Sequence, residues 1–110
     1  VNISNYDELG VSVFKLEGRV DSDGVNILTD SLRGAIADGK HNMILEMSGV
    51  DYINSSGLRI LAEVLTTNRE HGGDLCLVGL DSKVQRIFEL IGFSKFFNIY
   101  GTVLEAMERF

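Results

Sequence analysis

The stretch MILEMSGVDYINSSGLRILAEVL, residues 43–65, decides the fold. It opens on Met43-Ile44-Leu45-Glu46-Met47, a nearly continuous apolar run of the kind a central strand shows when both its faces are covered. It closes on Leu58, Leu61, Ala62 and Leu65, widened by Ile60 and Val64, which form one apolar helical face ending near His71-Gly72-Gly73. Leu75 to Val78 is a second buried-strand run. A buried strand, a helix of about four turns and another buried strand make a βαβ unit, with parallel strands and a right-handed crossover.

On the N-terminal side, Val11-Ser12-Val13-Phe14-Lys15-Leu16-Glu17 alternates apolar and polar, which predicts a strand with one face buried. Val1 to Tyr6 is a weaker strand, joined to it by a hairpin turn over Asp7-Glu8-Leu9-Gly10. After Gly18-Arg19-Val20-Asp21, the spacing of Val25, Leu28, Leu32, Ala35 and Ile36 predicts a helix that ends at Asp38-Gly39-Lys40. On the C-terminal side, Ser82-Lys83-Val84-Gln85 has the form of a capping box, and Val84, Ile87, Phe88 and Ile91 make a helical face stopped by Gly92. Phe96 to Tyr100 reads as a last short strand. Thr102-Val103-Leu104-Glu105 opens a terminal helix with Met107 and Phe110 on its inner side. The prediction is an α/β fold, one domain over residues 1–110, with a mixed central sheet of four to five strands and about four helices.

Composition narrows the function. The 110 residues are 45% hydrophobic, enough for one packed core, and carry a formal charge of -6. That charge argues against a direct grip on nucleic acid or an anionic membrane, and no apolar run approaches the roughly 20 residues that span a bilayer. Cys76, the one cysteine, lies inside Leu75-Cys76-Leu77-Val78, which predicts a buried structural thiol in a reducing, cytoplasmic setting. His41 and His71 are far apart and have no acid or cysteine at ligand spacing, so they read as solvated turn residues, with no metal or other cofactor implied.

Enzymatic chemistry finds no support in the motifs. Asn54-Ser55-Ser56-Gly57 lacks the first glycine of G-x-S-x-G, and the βαβ geometry puts both histidines at the opposite end of the sheet from Ser55. Neither G-x-x-x-x-G-K-[ST] nor G-x-G-x-x-G occurs. Serine ahead of a helical stripe can serve as a cap, contributing about 1 kcal/mol. One serine suffices for that, and the turn also lies at the carboxyl edge of the strands, where α/β domains place their ligands. Capping and a functional hydroxyl both fit.

Several motifs, in this order, resemble those of STAS domains, specifically the stand-alone bacterial anti-sigma factor antagonists. They are Gly18-Arg19-Val20-Asp21, the run from Ile44 through Asn54-Ser55-Ser56-Gly57-Leu58, and the ending Val84-Gln85-Arg86-Ile87-Phe88-Glu89-Leu90-Ile91-Gly92-Phe93. The resemblance covers nearly the whole chain. It implies a STAS-type fold and a non-enzymatic, phosphorylation-controlled partner switch. In the family the unphosphorylated antagonist binds an anti-sigma factor that is itself a serine kinase, and a serine phosphatase resets the modified form. By position the acceptor is Ser55, with Ser56 the second candidate. Asp21, Asn54, Ser56, Gly57, Leu58 and Arg59 fall at the partner surface. Asn54 stands where the family most often has aspartate, and Arg59 where a small glycine is usual. Arg59 as a phosphate counter-ion, as a contact for an acidic partner or as a solvated side chain all remain open. The alternative function is a STAS interaction subunit of another signalling or transport complex, which needs no phosphorylation.

Overall fold

The computed structural model describes every residue from Val1 to Phe110. Its five strands are β1 (Asn2–Glu8), β2 (Val11–Glu17), β3 (Asn42–Gly49), β4 (Asp74–Val78) and β5 (Asn98–Tyr100). The helices are α1 (Ser22–Ala37), α2 (Ser55–Glu70), α3 (Ser82–Leu90) and α4 (Val103–Met107), with a 3-10 turn at Phe93–Lys95. The sheet runs in the order β1-β2-β3-β4-β5. Only the β1/β2 hairpin is antiparallel; β2/β3, β3/β4 and β4/β5 are parallel. The mixed sheet and the β3-α2-β4 crossover agree with the reading of residues 43–78.

Strand periodicity divides the apolar residues between two faces. Phe14, Leu16, Met43, Leu45, Met47, Leu75 and Leu77 point to one side and join α1, α2 and α3 in a core of 20 buried residues. Val11, Val13, Ile44, Cys76 and Val78 point to the other side, where Ala106 of α4 closes a core of six. The second core corrects the expectation for Val11–Glu17. Residues 11–14 are buried on both faces because Val11 and Val13 belong to this second core, and alternation to solvent survives only from Lys15 onward.

Other boundaries also shift. The hairpin turn is Leu9-Gly10 alone, with φ of 50° and 78°, and Asp7 and Glu8 stay in the ladder opposite Ser12 and Val11. Two positive-φ residues are what a tight two-residue hairpin requires, and Gly10 takes one at no steric penalty. Asp7 is also fixed by Lys40 Nζ at 2.9 Å and by the Ser12 hydroxyl at 2.9 Å. The cap of α3 is Asp81, whose carboxylate accepts from Lys83 N, so Ser82 is the first helical residue instead. Ile91 and Phe110 are exposed, because α3 and α4 end at Leu90 and Met107 before the apolar stripe reaches them. Phe96, expected in the last strand, precedes it and is exposed.

The end of the sheet away from Ser55 is tied by Asp74. Its buried carboxylate accepts from Leu75 N and Asn98 Nδ2 and pairs with Arg69 Nε at 3.1 Å and Arg109 Nη2 at 3.2 Å. Arg69 continues to the Phe96 carbonyl at 2.7 Å. The ends of α2 and α4 and the starts of β4 and β5 are thereby joined at one charged group. His41 and His71, expected as separate solvated residues, stack here with ring centroids 4.2 Å apart, since the turns entering β3 and β4 run side by side.

Candidate functional site

The connections β2-to-α1 and β3-to-α2 leave the sheet together at the carboxyl ends of two parallel strands. Gly18 N donates to the Gly49 carbonyl, Val20 N to Tyr52 O at 2.9 Å, and Asn54 N to Val20 O at 3.0 Å, while Val20 and Ile53 form an isolated parallel bridge. This short ladder sets the N-termini of α1 and α2 next to each other. Asp21 directly follows Val20 and Asn54 directly follows Ile53, so the two capping residues leave this bridge on adjacent chain segments.

The two helix starts are built alike. Asp21-Ser22-Asp23-Gly24 and Asn54-Ser55-Ser56-Gly57 each begin with an extended capping residue whose side-chain oxygen accepts from the glycine N–H, at 2.9 Å and 2.8 Å. Each glycine is demanded by a close approach. A Cβ on Gly24 would stand 2.7 Å from the Arg19 carbonyl, and one on Gly57 would stand 2.7 Å from Ile53 Cγ1 and 2.9 Å from Val20 Cγ1. The caps differ in charge. The Gly24 hydrogen bond holds the Asp21 carboxyl below the usual carboxylate range, so it is ionised, whereas Asn54 is neutral.

Asn54, not a serine, therefore caps α2. Ser55 and Ser56 occupy its first two helical positions, both exposed. Ser55 starts the outer ridge of the helix, which continues through Arg59, Ala62 and Thr66 at helical spacing. Ser56 turns toward α1 and lines a groove of about 160 Å³ with Val25, Thr29, Arg33, Arg59 and Glu63 among its walls. Gly57 is buried and shapes the turn. Leu58 is half-buried against the main core. Arg59 is exposed and has no carboxylate within ion-pairing distance, while nearby Arg33 is taken by Glu63 at 3.3 Å.

Sequence reasoning missed two neighbours of the turn. The Arg19 guanidinium lies 4.2 Å from the centre of the Tyr52 ring, a cation-π contact that closes one flank of the site. The Asn54 cap was the other, and its signal was present: Asn54-x-x-Gly57 repeats the Asp21-x-x-Gly24 pattern. Both histidines lie at the far end of the sheet, so no imidazole reaches Ser55.

The family model of the STAS domain matches residues 2–106. The chain belongs to the STAS family. Among the curated relatives of this STAS domain is BtrV of Bordetella bronchiseptica, described as a candidate anti-sigma factor antagonist. It is 31% identical over 82% of this chain and 78% of that protein. The anti-sigma-F factor antagonist RsfB of Mycobacterium tuberculosis is 26% identical over 97% of this chain and 87% of its own length. Among solved structures, the anti-sigma factor antagonist SpoIIAA in its unphosphorylated form superposes with a TM-score of 0.85 at 19% identity, covering 98% of this chain and 95% of that one. The phosphorylated form of SpoIIAA, a Bacillus cell fate determinant, superposes with a TM-score of 0.78 at 18% identity, covering 98% of each chain. These two structures share the fold. No helix of this STAS domain is long and apolar enough to cross a membrane.

Proposed function

We propose that residues 1–110 act as one STAS domain and as a cytoplasmic, non-catalytic anti-sigma factor antagonist whose switch is Ser55. In the unmodified state it binds an anti-sigma factor that is also a serine kinase; phosphorylated, it lets go, and a serine phosphatase restores it. The observation that carries this reading is that Ser55 is exposed at the first position of α2 while Asn54 supplies the cap, leaving the hydroxyl without a structural task. The relatives named as anti-sigma factor antagonists support it, as does the existence of SpoIIAA in phosphorylated and unphosphorylated forms.

The chemistry follows from position. A kinase base removes the Ser55 hydroxyl proton, the oxygen bonds to the γ-phosphorus of ATP, and the bond to the bridging oxygen breaks as ADP leaves. The phosphate adds up to two negative charges and three acceptor oxygens beside free N–H groups of the first helical turn, where an anion is well placed. The fold tolerates it. A fitted partner surface that covers Ser55, Ser56, Leu58, Arg59 and the flanking Asp21 and Asn54 would not, because it must accommodate both the bulk and a charge near the ionised Asp21.

Incubation with the cognate kinase and ATP, followed by peptide mass spectrometry, tests the reading. One phosphate on Ser55 is expected, and absence of phosphate from both Ser55 and Ser56 overturns it. Full regulation retained by Ser55→Ala would instead favour a docking subunit that works without phosphorylation.

A further inference from the structure

The matched helix starts differ in one respect that concerns Arg59. In α1 the first turn already holds negative charge, from the Asp21 cap and Asp23. In α2 the cap is neutral and the first turn contains no acid, so the first charged side chain of the helix is Arg59. Arg59 stands four positions after Ser55 and three after Ser56, the two spacings that place side chains side by side on a helix. Arg59 and Ser56 are walls of the same groove. Glu63, the acid one turn further on, is engaged by Arg33 from α1, which leaves the Arg59 guanidinium without an internal partner.

We propose that Arg59 is a shared cation, paired with a carboxylate of the protein partner while Ser55 is unmodified and with the phosphate on Ser55 once it is attached. The inference rests on Ser55 being the switch and names how the switch is read. An anion one turn N-terminal to a cation is the favourable order along a helix, and a guanidinium offers a phosphate two parallel N–H bonds. Phosphorylation then acts twice: it introduces charge at the interface, and it withdraws the cation that the partner's carboxylate needs. Arg59 is thus a specificity-determining residue, and the partner group facing it is acidic.

Phosphoserine introduced at position 55 by genetic encoding tests the intramolecular pair without any kinase. In a 31P NMR titration the second ionisation of the phosphate should shift upward by about 0.15 to 0.4 of a pH unit in Arg59→Ala, the size expected of an exposed pair one turn apart on a helix. Arg59→Lys should recover part of that shift, because the charge is kept and the fork is lost. Identical titrations with and without the Arg59→Ala substitution overturn the proposal. For the intermolecular half, Arg59→Ala in the unmodified protein should weaken binding to the cognate anti-sigma factor about threefold to tenfold, the loss shrinking as salt rises. Unchanged affinity also overturns it. A failure of the kinase to modify Ser55 would count against the switch itself, whereas an encoded phosphate that ignores Arg59 counts against this pairing alone.

Discussion

Asn54→Ala and Ser55→Ala should have unequal consequences for stability, although the residues are adjacent and the sequence pointed to serine as the cap. The Asn54 side chain accepts from Gly57 N at 2.8 Å, and Gly57 is buried between Ile53 and Val20, where water does not readily replace the lost acceptor. Removing it should destabilise the fold by about 1 to 2 kcal/mol, the upper part of the range for helix caps. Ser55 is exposed at the first helical position, and alanine is the better helix former, so Ser55→Ala should stay within about 0.5 kcal/mol of the parent. In a chain of this size the first change lowers the melting temperature by about 4 to 8 °C and the second by less than about 2 °C. Asp21→Ala is the matched control on α1. The Gly24 hydrogen bond lowers the folded-state pKa of Asp21, so its ionic contribution is present above the unfolded pKa and is lost as pH falls through the folded value. The Asn54 contribution has no such dependence. Urea denaturation followed by circular dichroism, run between about pH 3 and pH 7, separates the two. A loss in Ser55→Ala equal to that in Asn54→Ala would refute the assignment of the cap and, with it, the argument that Ser55 is structurally idle.

Two further expectations concern the rest of the molecule. Burial, then the nearby Asp74 charge, pushes the Cys76 thiol from its ordinary value of 9.0 up to about 12, so a thiol-exchange reagent at about pH 8 should react only with unfolded protein. The unfolded thiol ionises while the folded one keeps its proton, so stability should fall as pH rises from about 9 toward 12, and Cys76→Ala should remove that slope; fast labelling of native protein would contradict the burial. Asp74→Ala strips the acceptor from the buried Leu75 N–H and unpairs Arg69 and Arg109, whose side chains are 41% and 47% exposed and can rehydrate. A loss of about 2 to 3 kcal/mol in chemical denaturation is expected, and a neutral result would show that the network contributes nothing net.

The β3-α2-β4 unit was legible in the sequence because each element has a strong period: a continuous apolar run for strands covered on both faces and a three-four spacing for the helix. Glycines marked the ends of α1, α2 and α3 for a related reason, since Gly39, Gly72 and Gly92 all take positive φ. What escaped depends on contacts distant in sequence. The two-sided burial of Val11 and Val13 comes from a second core, closed by a short terminal helix that no local pattern connects to β2. The stack of His41 on His71 comes from strand register, and the Asp74 network gathers partners from α2, β5 and the chain beyond α4. At the candidate site, motif order led to Ser55 correctly placed at a helix start. The choice of capping residue was missed because serine and asparagine serve that role about equally well, and only the bond to Gly57 distinguishes them.

The central claim, that a phosphate on Ser55 controls partner binding without disturbing the fold, is tested most directly by calorimetric titration of the cognate anti-sigma factor with unmodified protein and with protein carrying encoded phosphoserine at position 55. The account predicts at least about a hundredfold weaker binding for the phosphorylated form, roughly 2.7 kcal/mol, with the melting temperature nearly unchanged. Equal affinities for the two forms would contradict it.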